Sequence, residues 1–213
     1  MVLLTGIFAL HQNRILTERA LRAEVAARVD LVRSKLEGNI GANIHLVRGL
    51  VAAVQTEPDI DQPRFAALSR GLFGHGGQLR NIAGAPDLVI RLMHPMKGNE
   101  RAIGLDYRTT PQQRDAAIRA RDSRSLVLAG PVQLQQGGVG LIARFPVFSD
   151  HKPEPRFWGI ISAVIDVAQL YRDSGLHDET GIDFALIGVD ALGESGRQFY
   201  GSPDILKQNP VVA

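Results

Sequence analysis

Residues 99–144 read NERAIGLDYRTTPQQRDAAIRARDSRSLVLAGPVQLQQGGVGLIAR. The order within this stretch is polar turn, capped helix, strand, glycine hairpin, strand. Thr110 stands where a helix cap belongs, Pro111 opens the helix, and Gln113 sits at its third position in capping-box fashion. The helix runs to about Arg121, and residues 126–128 form a short strand. Segments 132–134 and 139–145 flank Gln135-Gln136-Gly137-Gly138, which reads as a hairpin tip. This order suits a helix folded over an antiparallel sheet to enclose a pocket, so the expected fold class is α+β.

Upstream, residues 15–54 contain no proline, and apolar residues recur at steps of three and four. Val25, Val29, Val32, Leu36, Ile40 and Leu50 belong to one helical stripe. In heptad terms Val29, Leu36, Asn43 and Leu50 share one seam position, and Asn39 falls at the other. A helix of about 40 residues reaches roughly 60 Å, longer than a small domain is wide. The expectation is a stalk over residues 11–56 that pairs weakly with a second copy, the two asparagines fixing the register. Charged residues cluster in the first half of the stalk, as on a solvated face or one that meets lipid head groups. Residues 2–10 (VLLTGIFAL) are apolar but about half the length needed to span a bilayer. Two readings of residues 1–10 stay open: the outer end of a membrane helix, or the first turns of a soluble one.

Downstream, Glu57-Pro58-Asp59 ends the long helix. A short helix over 62–72 follows, with Asp61 as cap and Pro63 in its first turn. Strands are expected at 88–93, 157–167, 182–189 and 198–200, a turn at 95–99, and a helix at 167–173.

Composition narrows the function. A hydrophobic content of 45% and a charged content of 22% describe an ordinary globular chain. A formal net charge of +2 gives no basic footprint for nucleic acid. The absence of cysteine excludes disulfides, thiolate catalysis and Cys-based zinc sites. The six histidines never fall within four residues of each other, so metal-ligand spacings are missing. Gly137-Gly138-Val139-Gly140 lies between strands instead of opening a helix, which removes the phosphate-binding helix terminus. No pattern supports an enzyme, a cofactor or a metal.

Two polar points remain. Asp106 and Tyr107 stand between a strand-like run and the capped helix, where an acid could accept from a ligand N–H and a phenol could stack or donate. Equally, Asp106 could cap a turn while Tyr107 packs on the helix. Leu128, Val139 and Leu141 are the expected apolar wall beside them. Arg144, like Arg108, could grip a carboxylate in bidentate fashion. The ligand expected is a small polar molecule.

The ordered series Asn81-Ile82, Pro95, Asn99, Ala102-Ile103-Gly104-Leu105-Asp106, Arg114, Ala120-Arg121, Leu128-Ala129-Gly130-Pro131, Gly137-Gly138 and Arg144-Phe145-Pro146-Val147-Phe148 resembles the CHASE family signature. The resemblance covers about residues 36–167. It implies an extracytoplasmic sensor between two transmembrane helices, ahead of a diguanylate cyclase or histidine kinase. It also implies a stalk helix over residues 11–56 carrying two stacked PAS-like modules, a membrane-distal ligand-binding one at 57–166 and a membrane-proximal one at 167–213. In the plant cytokinin receptors of that family, the aspartate matching Asp106 contacts an adenine-type ligand, and the residue matching Leu128 offers its backbone. Their ligand-binding threonine falls here near Gly138-Val139, where there is no hydroxyl. The competing class is a protein-interaction module with a filled pocket, which large residues between Arg91 and Ala143 would favour.

Overall fold

The computed structural model describes residues 2–74, 77–134, 137–149, 155–177, 181–188 and 198–213. The tip residues Gln135 and Gln136, most of the 151–155 link and the 190–196 turn lie outside these.

Helix α1 spans Val2–Thr56, 55 residues and so about 80 Å long. Its later half is held by one stripe, in which Val32, Val47, Leu50 and Val54 are buried and Leu36, Ile40, Ile44 and Val51 are half-buried. The stripe packs on the chain's own sheet. The seam expected to meet a second copy is therefore occupied within the molecule at Leu36, Asn43 and Leu50. The periodicity was sound, but a stripe of that width serves a sheet as well as a partner helix. Among the described residues, no helix is long and apolar enough to cross a membrane.

Helix α2 spans Gln62–Arg70, and Asp61 caps it by accepting from the Arg64 N–H at 2.8 Å. Strand β1 is Leu79–Pro86 and β2 is Leu92–His94. Helix α3 is Pro111–Ser123, followed by strands β3 (Val127–Gln133), β4 (Val139–Ser149) and β5 (Arg156–Asp166). Helix α4, Val167–Asp173, starts directly from β5 with Asp166 as its cap. A ribbon of β6 (Leu186–Ile187) and β7 (Gln198–Tyr200) and a 3-10 turn at Pro203–Lys207 follow.

The five-stranded sheet has the order β2-β1-β5-β4-β3, antiparallel throughout. Side chains alternate between its faces. Ala143, Phe145, Val147, Ile161, Ala163 and Ile165 face α1, with Phe65 of α2 in the same core. Ala83, Ala85 and Ile160 face the other way, in a second core with Ala117 and Ala120 of α3. The molecule is helix, sheet, helix.

Three expectations change. The 88–93 strand shrinks to β2, because Asp87 and Leu88 take left-handed backbone and turn the chain. The two short pieces at 126–128 and 132–134 form one strand, β3, with an irregular register between Ala129 and Val132. Among the described residues of the expected 182–189 strand, only Leu186–Ile187 is strand. Strand β1 was not foreseen at all. Its close pairing with β5 depends on Gly159, where an added Cβ would lie 2.7 Å from Pro86 Cα.

A polar strap ties the stalk to α4. Asn43 Nδ2 donates to Gln78 Oε1 at 2.8 Å, and Gln78 Nε2 donates to Asp173 Oδ2 at 2.7 Å. Asn39 Nδ2 donates to Ser174 Oγ at 3.1 Å. The asparagines that looked like register pins between two stalks thus fix α1 on its own domain. Asn43 is buried, so Asn43→Ala strands the Gln78 carbonyl at a cost of about 1–3 kcal/mol. The expected drop in Tm is roughly 3–9 °C by calorimetry; an unchanged Tm contradicts the strap's role.

Candidate functional site

The α3 face of the sheet carries polar groups that the stalk face lacks. On β5 the apolar run is broken by Ser162, whose register partner on β4 is Arg144. The Tyr107 hydroxyl lies 2.9 Å from Ser162 Oγ, and Arg144 Nη1 donates to the same oxygen at 3.3 Å. Arg144 Nη2 donates to Gln113 Oε1 at 3.0 Å, and the guanidinium sits over the Tyr107 ring at 4.5 Å. Arg144 is 1% exposed and Tyr107 is 1% exposed. Its Nε has no hydrogen-bond partner, and no carboxylate pairs with it among the described residues. Hydrogen bonds to a charged group contribute about 1.5–3 kcal/mol each and a desolvated cation–π contact about 2 kcal/mol. They hold the cation in place without neutralising it.

Next to this cluster is a cavity of about 30 Å³. Its polar wall is Asn81, Tyr107, Gln113 and Ser162, and its apolar wall includes Ala83, Met93, Leu134 and Ile142. Arg144 lies one side chain behind, against three of the four polar residues. Asn81 Nδ2 donates to Asn99 Oδ1 at 2.7 Å and Asn99 Nδ2 to the Pro95 carbonyl at 2.9 Å. The signature residues Asn81, Pro95 and Asn99 therefore clamp the 95–105 loop that closes the cavity.

Each expected site residue has a definite place. Tyr107 lines the cavity and Arg144 backs it. Asp106 does not line it. Its side chain is 26% exposed and receives Arg108 through Nε and Nη2 at 2.9 Å each, with the Arg108 N–H at 2.8 Å. The Arg108 guanidinium holds the Asp106 carboxyl below the usual carboxylate range. Leu128, Val139 and Leu141 pack on the stalk core, so they depart from the expected wall. The reason is the pleat: Leu128 pairs with Ala143 and Leu141 with Ile165, both on the α1 face.

Sequence reading missed Ser162, Gln113 and Asn81. Ser162 had a signal, as a hydroxyl interrupting an otherwise apolar strand. Gln113 was assigned to a capping box that does not form. Thr110 Oγ1 donates back to the Asp106 carbonyl at 2.8 Å and makes no cap, which leaves the Gln113 side chain free for Arg144.

A wider groove of about 690 Å³ runs between α1 at Val25, Val29 and Leu36 and the C-terminal segment at Ile182, Phe184 and Leu206. Its charged rim residues Arg33, Asp183 and Asp204 are all exposed. Among its described lining residues there is no buried polar group in need of a partner.

Several solved structures share this fold. The sensory domain of the Campylobacter jejuni chemoreceptor Tlp3 (CcmL) superposes with a TM-score of 0.61 at 13% identity, covering 92% of this chain and 77% of that one. The ligand-binding domain of the Pseudomonas aeruginosa amino acid chemoreceptor PctC, in complex with GABA, gives 0.58 at 18% identity, covering 83% and 78%. An extracellular ligand binding receptor from Desulfohalobium retbaense gives 0.58 at 18% identity over 86% of this chain, which spans only 31% of that receptor. No curated protein matches the chain. The CHASE domain model matches residues 42–200, from the packed half of the stalk through the whole sheet to β7, and the chain belongs to that family of sensor domains.

Proposed function

We propose that this domain senses a small polar molecule in the cavity beneath α3 and passes occupancy through the sheet to the stalk. The observation that carries this reading is the buried polar cluster of Arg144, Tyr107, Ser162 and Gln113 around a cavity, on a sheet whose other face is apolar and filled. Family membership supports a receptor setting outside the cytoplasm, with residues 57–166 as the membrane-distal module and the stalk leading to a membrane anchor. The amino acid ligands of the chemoreceptors with this fold support a small polar ligand. The remainder of the receptor would supply a cyclase or kinase output.

Transmission needs little movement. Ser162 and its neighbours Ile161 and Ala163 share one strand, the first facing the cavity and the other two facing α1. A ligand that shifts β4 and β5 by a fraction of an ångström repacks Val47, Leu50 and Val54. Two packings of α1 on the sheet are enough for a two-state switch.

A ligand-responsive melting point is the first test. Screening polar metabolites should find compounds that raise the wild-type Tm. Ala83→Val fills much of the cavity and should abolish that shift while the strand, which favours β-branched residues, still forms. Retained response in Ala83→Val places the binding elsewhere.

Asp106 has a separate role. Because its folded pKa is lowered, its contribution to stability is present above about pH 4, the unfolded carboxylate range, and is lost as pH falls through the folded value. Asp106→Asn should shrink the acid fall in a plot of Tm against pH, with Glu57, Glu100 and Asp122 keeping their shares, and leave ligand response at pH 7 intact. Loss of the response would make Asp106 a ligand contact.

Dimerisation would use a different face from the packed seam. Leu16, Leu21 and Leu31 are 60%, 58% and 50% exposed on the part of α1 that precedes the sheet contacts. Leu21→Glu with Leu31→Glu should shift sedimentation toward monomer without lowering Tm. A wild type that stays monomeric at high concentration rules this face out.

A further inference from the structure

We infer that the ligand is a short monocarboxylate without an ammonium group, gripped by Arg144 once the Gln113 side chain swings aside. This rests on the cavity reading above and adds the chemical class.

Arg144 is a permanent cation, 1% exposed, with neutral partners only and an orphaned Nε. A buried ion normally carries an opposite charge. The Gln113 carbonyl occupies the place where an anion would accept from Nη2. Gln113 is half-buried in the first turn of α3, so its carboxamide has room to rotate outward. A carboxylate entering there would accept from Arg144 in bidentate fashion, with Tyr107 and Ser162 as neutral hydroxyl partners.

Size and the remaining wall define the rest of the molecule. A cavity of 30 Å³ holds about two or three waters. With the carboxamide displaced, this fits two to four non-hydrogen atoms beyond the carboxylate carbon and excludes a purine. The apolar wall includes Ala83, Ile90, Met93 and Ile142, which suits an alkyl tail. None of the described wall residues is an acid, so an amino acid would bury its ammonium unpaired.

The probe is sodium propionate in a concentration series, against sodium chloride at equal ionic strength and against L-alanine. The proteins are wild type, Gln113→Glu and Ala83→Val. Propionate should raise the wild-type Tm where chloride and alanine do not. Gln113→Glu places a resident carboxylate beside Arg144, so its Tm without ligand should rise by roughly 4–8 °C. Its apparent propionate affinity should fall at least tenfold. If Gln113→Glu lowers Tm, or keeps the wild-type response, Arg144 is not an anion site and the inference fails. If other small molecules raise the wild-type Tm and Ala83→Val blocks them while propionate does nothing, the monocarboxylate is wrong and the cavity reading stands. If propionate raises wild type and Ala83→Val equally, the anion binds outside the cavity and the inference fails.

Discussion

Each side chain on β4 and β5 must face either the stalk or α3, because the pleat offers no third direction. That constraint organises the molecule. The α1 face receives Ala143, Phe145, Val147, Ile161, Ala163 and Ile165 and becomes a closed apolar core. The residues between them, Arg144 and Ser162, are forced under α3. A one-residue slip of β4 against β5 would bury Arg144 on the stalk and expose the core. The position of the cation is therefore set by the same alternation that builds the fold.

Polar burial on one face has a cost that apolar packing on the other must offset. Moving an ion away from water carries a penalty of several kcal/mol even after relaxation. Arg144 recovers part of it through Ser162, Gln113 and Tyr107. On the proposed reading, a ligand on the α3 face would meet a cation that is held but not neutralised. The same strands present a tightly filled surface to α1, and tightly packed surfaces do not deform smoothly. The strap from Asn43 through Gln78 to Asp173 links α1 to α4 by side-chain hydrogen bonds.

Much of this was readable from residue order. The long helix, the Asp61 cap, α4 and the two central strands follow from spacing, proline placement and β-branched runs. Strand β1 was invisible because LRNIAGAP has one β-branched residue and several small ones. Those small residues are its function: Gly84 would place a Cβ 3.3 Å from the Phe65 ring, so glycine lets α2 seat there. Residues 88–93 misled in the opposite sense, since LVIRLM has strand composition but Asp87 and Leu88 turn the chain and the Ile90 N–H bonds to the Leu105 carbonyl outside the ladder. At the site, Tyr107 was legible as a polar residue at an element junction and Arg144 as an arginine within a strand. Asp106 looked the stronger candidate, and only three-dimensional placement shows that Arg108 ties it outward. Leu128, Val139 and Leu141 were near the cavity along the chain but on the wrong side of the pleat.

The central claim is that occupancy on the α3 face is felt by the stalk on the other. Amide hydrogen exchange with and without saturating ligand measures both faces at once. The account predicts changed protection at the first turns of α3, over residues 111–117, together with changed protection of the packed half of α1, over residues 44–54. Protection that changes around α3 while residues 44–54 stay the same would contradict it.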